Sequence, residues 1–204
     1  MRAPCMDALS MKFTLKADGY SLIEMLFMLF ILGVLCGMLA LSFQGLQNKV
    51  HTQAASEALL SDVLSARAEA LRRERRVTLC AAVLDSSSQA ALPTACASSG
   101  SAAAWHQGWL VFEDNNSNGL WDEGEVLLQQ RSRINPKVSA TGNTTVSRYV
   151  SFGASGRSLS LNGAFQAGTI TFCESGAKAK EGWLLVVNAV GRSRLDKGQI
   201  AICP

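Results

Sequence analysis

Between Tyr20 and Phe43 the sequence reads YSLIEMLFMLFILGVLCGMLALSF, and Glu24 is the only charge in the run. As a helix this stretch is long enough to span a bilayer core of about 30 Å. A carboxylate inside such a helix costs about 2.5–3.5 kcal/mol on insertion scales and calls for a counter-charge. Cleavage after Gly19 would create an α-amino group at Tyr20, four positions from Glu24. Snorkelling of Glu24 to the interface is the alternative reading.

Further on, Asp114, Asn116, Asn118, Asp122 and Glu125 carry side-chain oxygens, with Gly119 among them. They fit positions 1, 3, 5, 9 and 12 of a twelve-residue calcium loop, with glycine at 6. A hairpin loop needs the same Asn, Asp and Gly for its turn conformations. The flanking runs have strand character where a calcium hand requires helices. Both readings remain open at this level, and no metal is assigned. Arg192 and Arg194 are expected to alternate along an extended segment, which places both on one face. Guanidinium groups so spaced suit phosphate oxygens, although positive charge also guards a strand edge against unwanted pairing. Arg72, Arg73, Arg75 and Arg76 read as helix-end charges, with a phosphate patch as the functional alternative.

Six cysteines occur. Cys5 precedes the apolar run and Cys36 lies within it, which leaves Cys80, Cys96, Cys173 and Cys203, the even number that a disulfide framework needs. Of the three possible connectivities, Cys80–Cys96 and Cys173–Cys203 are expected, because each pair brackets one local excursion. Loop entropy gives about 3 kcal/mol for the first pair. Four reduced thiols are the alternative. Only two histidines, His51 and His106, are present. No nucleophile–base, metal-ligand or phosphate-loop pattern accompanies them, so no catalysis and no cofactor are expected.

These groups need elements to hold them. The apolar run is longer than a cleaved signal core and continues without Pro or turn residues into more helix, so cleavage after it is not expected. Lys12 and Lys16 would keep the preceding end in the cytoplasm. From Leu46 onward, Leu46, Val50, Ala54 and Ala58, and on an adjoining face Leu59, Val63, Ala66 and Ala70, recur at helical spacing. One helix from about Tyr20 to Arg73 is expected, its first half in lipid and its second packed on a head. Beyond it come seven short β-like runs: 77–84, 108–112, 126–131, 146–152, 167–173, 183–190 and 199–203. Their connections are too short for helical crossovers, so pairing should be antiparallel. Ser86 to Ala104 reads as a surface loop. Charge is uneven as well: Glu113 to Glu125 holds five acids and no base, whereas Arg131 to Pro204 holds ten bases and three acids.

Gly19-Tyr20-Ser21-Leu22-Ile23-Glu24-Met25 resembles the prepilin motif G-F-T-L-I-E-L of type IV pilins and type II secretion pseudopilins, with Tyr20 in place of the usual Phe. The resemblance implies cleavage after Gly19 by a prepilin peptidase, N-methylation of Tyr20, and a role for Glu24 in subunit assembly. Leaders in that family are short, so Met1, Met6 and Met11 are all candidate starts. In the head, three features together resemble the GspH/FimT family of minor pilins and minor pseudopilins. They are Gly108-Trp109-Leu110-Val111-Phe112-Glu113-Asp114 with its Asn/Asp/Gly sequel, the two cysteine-bounded excursions, and Gly191-Arg192-Ser193-Arg194. The fold so implied is α+β and type IV pilin-like, a long N-terminal helix packed on an antiparallel β-sheet head. The expected organisation is a leader over 1–19, a transmembrane half-helix over 20–43, an amphipathic stem over 44–76 and a periplasmic head over 77–204. The resemblance implies a single-pass protein of the bacterial inner membrane that later enters a pilus or pseudopilus. Its expected partners are other pilins or pseudopilins and the prepilin peptidase. In the FimT branch a matching G-R-x-R stretch is associated with DNA capture, which makes double-stranded DNA a candidate partner of Arg192 and Arg194.

Overall fold

The computed structural model describes residues 19–83, 92–98, 103–176 and 178–203, with the side chains of 38–45, 178–180 and 201–202 excepted. The expected leader before Gly19 and parts of the Ser86–Ala104 loop lie outside the described residues. The chain divides into two units, Met1–Phe43 and Gln44–Pro204. In the first, helix α1 (Leu22–Arg73) begins immediately after Ser21, whose carbonyl accepts the N–H groups of Glu24 (3.0 Å) and Met25 (3.2 Å). Glu24 therefore occupies the first turn, where the helix dipole favours an acid. The large apolar side chains from Leu22 to Leu35 are exposed. Among the described residues no helix is long and apolar enough to cross a membrane. The expected span includes positions 38–45, whose side chains lie outside that description.

In the second unit α1 runs on to Arg73, and Glu74 stops it by adopting a left-handed φ of 55°. Such a residue just past the last turn is a common helix stop, although glycine is the usual occupant. The helix thus ends at Arg73 as expected, so the segment 44–76 is helical only that far, and Arg75 and Arg76 lie beyond the last turn. The strands follow as β1 (Val77–Ala81), β2 (Trp109–Glu113), β3 (Leu127–Arg131), β4 (Val138–Gly142), β5 (Tyr149–Phe152), β6 (Gly168–Glu174), β7 (Lys178–Val187) and β8 (Ser193–Ile202). They form two antiparallel four-stranded sheets, in the orders β3-β2-β1-β5 and β4-β6-β7-β8. The α+β class and antiparallel pairing match the expectation. β4 was not expected: it is a five-residue strand, VSATG, that carries one large apolar residue.

Alternation along the strands explains how the core divides. Val77, Leu79 and Ala81 of β1 and Trp109 and Val111 of β2 face the main core, together with Leu59, Val63, Ala66 and Ala70 of α1. The intervening Cys80, Leu110 and Phe112 point to the opposite face and form a second cluster with Cys96, Leu120 and Trp121. Both faces of β1 and β2 are covered, so all ten of their residues are buried. Of the two helical stripes in the sequence, the Leu59 stripe packs inward, whereas Leu46, Val50 and Ala54 face solvent.

One charge lies on the buried stripe of α1. Asp62 is 2% exposed, and its carboxylate accepts hydrogen bonds from Trp109 Nε1 (2.8 Å), Gln129 Nε2 (2.7 Å) and Arg131 Nε (2.8 Å) and Nη2 (3.1 Å). This carboxylate in turn raises the pKa of Arg131. Removing one member of a buried ion pair costs about 3–5 kcal/mol. Arg131 is partly solvated, so Asp62→Ala should sit near the lower end, about 3 kcal/mol, and thermal unfolding of the detergent-solubilised chain would measure it.

His106 lies in the 3₁₀ turn Trp105–Gln107, and its Nδ1 accepts the backbone N–H of Ala140 at 3.2 Å. Burial, with a smaller contribution from Arg133, lowers its pKa below the ordinary 6.5. The folded state thus favours the neutral ring. The stabilisation is complete above pH 6.5 and is lost as pH falls from there through the lowered value. His106→Asn keeps an acceptor near the Nδ1 position and should flatten the loss of melting temperature in that acid window relative to the parent chain.

Candidate functional site

Gly19 and Tyr20 precede α1 in non-helical, exposed backbone, with Tyr20 73% exposed, and Glu24 is exposed one turn later. Among the described residues beyond its chain neighbours, none comes within 4 Å of where a Gly19 Cβ would stand.

Cys80 is joined to Cys96 and Cys173 to Cys203, with Cα–Cα separations of 5.5 and 5.8 Å. Cys36 is free and exposed. The first bond fastens the excursion after β1 onto the second core cluster, and Cys96 Sγ also accepts the N–H of Trp121 at 3.3 Å. That contact links the excursion to the acidic loop between β2 and β3.

Within that loop the carboxylate oxygens accept hydrogen bonds from the loop itself and from β1. Asp114 is 1% exposed and accepts from the N–H groups of Asn118 (3.1 Å) and Gly119 (3.2 Å) and from the hydroxyl of Thr78 (2.8 Å). Asp122 accepts from Asn116 Nδ2 (2.8 Å) and Asn118 Nδ2 (2.6 Å), which together lower its pKa. Glu125 accepts from the N–H groups of Asn115 and Asp122. Ser117, Gly119 and Gly124 adopt left-handed φ values of 60°, 73° and 91°. These bonds and backbone angles hold the loop in a tight turn.

The four arginines near the end of α1 are engaged locally. Arg72 and Arg73 hold Glu69, whose pKa is lowered to about 2 by those bonds. Arg73 and Arg75 reach Glu113, and Arg76 donates to Ser151 Oγ and the Ser160 carbonyl. They anchor the helix end to β2 and β5.

Arg192 and Arg194 are not on one strand. β8 begins at Ser193, so Arg192 closes the β7–β8 turn while Arg194 lies on the strand. The cause is Gly191, whose φ of 80° makes the chain turn there. Both side chains are exposed, and Arg194 pairs with Asp196 at 2.9 Å. Sequence reasoning missed that this turn has a twin. Gly153-Ala154-Ser155-Gly156-Arg157 and Asn188-Ala189-Val190-Gly191-Arg192 share the pattern Ala-x-Gly-Arg. In each, the first N–H donates to the arginine carbonyl and the glycine N–H donates to the first carbonyl. Both glycines are left-handed, at 70° and 80°. The repeated tetrapeptide was the available signal. The twins touch: a Cβ on Gly191 would collide with the Gly156 carbonyl. Arg67 of α1 donates Nε to that carbonyl (2.9 Å) and Nη2 to the carbonyl of Val190 (3.3 Å).

A long N-terminal helix whose second half is packed against antiparallel sheets, with a disulfide-fastened excursion, defines a type IV pilin-like protein. The chain belongs to the family described as Type II transport protein GspH, whose model matches residues 55–191. Among solved structures it is similar to the type IV minor pilin FimU of Pseudomonas aeruginosa strain PAO1 in two crystal forms. One has a TM-score of 0.52 at 19% identity, covering 75% of this chain and 95% of that one. The other has a TM-score of 0.51 at 19% identity, covering 74% and 99%. No curated protein matches the chain.

Asp114→Ala would take the acceptor from the buried Gly119 N–H, and would leave the Asn118 N–H and the Thr78 hydroxyl only their second acceptors, Asn116 Oδ1 and Ser151 Oγ. Groups so stranded cost about 1–3 kcal/mol, so urea unfolding should show a loss in that range. Asp114→Asn, which keeps one acceptor oxygen, should lose less.

Proposed function

We propose that this chain is a minor pilin or minor pseudopilin, made as a membrane-inserted precursor, cut after Gly19 by a prepilin peptidase and methylated at Tyr20. It is then built into the tip or initiation complex of a type IV pilus or a type II secretion pseudopilus. The observation that carries this reading is the start of α1. A helix of 52 residues begins two positions after an exposed Gly19–Tyr20 junction, with a single acid in its first turn. The apolar residues that follow suit a bilayer, with the GspH-type head on its periplasmic side. Released by cleavage, the Tyr20 amine is the counter-charge for Glu24, from the same subunit or a neighbour, and offsets the cost of a carboxylate in lipid.

Mass spectrometry of the membrane-extracted protein should find methylated Tyr20 as the N-terminus. An intact leader in cells with active peptidase would end this reading. Glu24→Ala should be processed normally yet enter fibres poorly, as fractionation of sheared fibres against membranes would show.

A second reading, capture of double-stranded DNA by the head, is supported by the exposure of Arg192 and Arg194 in a region with ten bases and three acids. DNA held through phosphates alone is bound without sequence preference and with steep salt dependence. Arg192→Gln with Arg194→Gln should abolish gel retardation at low salt while the circular dichroism spectrum stays unchanged. Retention of full binding by that variant would remove these two residues from the interface.

A further inference from the structure

The twin Ala-x-Gly-Arg turns come from different parts of the chain, one between β5 and β6 and the other between β7 and β8. Each ends on an exposed arginine, Arg157 and Arg192. Backbone meets backbone where Gly191 approaches the Gly156 carbonyl, so closely that a Cβ on Gly191 would collide with it, whereas one on Gly156 would only crowd the Leu71 side chain. Arg67 seals the contact by donating to one carbonyl from each turn. Beside Arg157 stands Phe165, 58% exposed, with the guanidinium 4.2 Å from its ring centroid. Among the described residues neither Arg157 nor Arg192 has a carboxylate partner. Two cations delivered by matched turns, one over an exposed aromatic ring, are more than a solvated face needs.

We propose that the two turns form one composite surface for the phosphate backbone of double-stranded DNA, in which Arg157 and Phe165 join Arg192, and Arg67 is the positioning residue that holds the turns together. This rests on the DNA reading above and extends it to a second segment of chain. Arg67 donates to main-chain carbonyls one residue before Arg157 and two before Arg192, so it acts through those arginines. The turn order makes both cations neighbours of one rigid seam rather than tips of independent loops, and a preorganised pair loses less freedom on binding.

The test titrates a short DNA duplex, followed by fluorescence anisotropy, with the full chain in detergent over a series of salt concentrations. Arg157→Gln should weaken binding and lower the slope of log K against log salt by about 0.9, the loss of one phosphate contact. Phe165→Ala should weaken binding with little change of slope. Arg67→Met should weaken binding of the parent chain but add no further loss in a chain already carrying Arg157→Gln and Arg192→Gln, the signature of action through those residues. Should Arg67→Met fail to fold, Arg67→Lys, which can reach one carbonyl but not both, takes its place. If Arg157→Gln binds like the parent while the Arg192→Gln, Arg194→Gln variant does not, the composite surface is wrong and the DNA reading survives. No binding by the parent even at low salt ends both. Unchanged binding with loss of fibres on Arg157→Gln would make this face a subunit contact instead.

Discussion

The second unit is organised around a buried carboxylate. Asp62 interrupts the apolar stripe of α1 and is almost wholly removed from water, and an unpaired charge there would cost several kcal/mol. Its acceptor sites are filled by Trp109 from β2 and by Gln129 and Arg131 from β3. The helix must therefore dock at one rotation and one height, because a shift of a single turn would strand the charge. Hydrophobic contact between Leu59, Val63 and the sheets would tolerate small slips, and the hydrogen bonds to Asp62 do not.

Once α1 is seated, other parts of the head are tied to it. Arg67, just over one turn further along, reaches the seam between the Ala-x-Gly-Arg twins, and Arg73 reaches Glu113 at the end of β2. Asp114, the next residue, organises the acidic loop by accepting from that loop's own N–H groups and from Thr78 of β1. The Arg67 and Asp114 links end on backbone in loops. Loops of small polar residues have little apolar surface to bury, so such bonds are what position them.

The disulfides act on the same problem from the other side. Cys80 projects from the face of β1 that turns away from the helix, and its bond to Cys96 draws the excursion over Leu110 and Phe112. That cover converts one face of the first sheet from a solvent surface into a second small core. The chain end is likewise held to β6 through Cys173 and Cys203.

Much of this was legible in the sequence. The apolar run with its lone Glu24 identified where α1 begins, periodicity at Leu59, Val63, Ala66 and Ala70 identified its buried face, and the bracketing of excursions paired the four head cysteines. Those signals are local, set by spacing along a single element. What escaped was set by partners distant in sequence. β4 has almost no strand signal of its own and exists because β6 pairs with it. Arg75 and Arg76 leave the helix because Glu74 turns left-handed, which nothing in its side chain announces. Asp62 looks like a flaw in an apolar stripe until β2 and β3 supply its donors. The meeting of the two Ala-x-Gly-Arg turns, some 35 residues apart in sequence, needs both sheets in place. Spacing along a chain specifies which faces are apolar and where turns fall, whereas which turns touch is decided only when the packed elements bring them together.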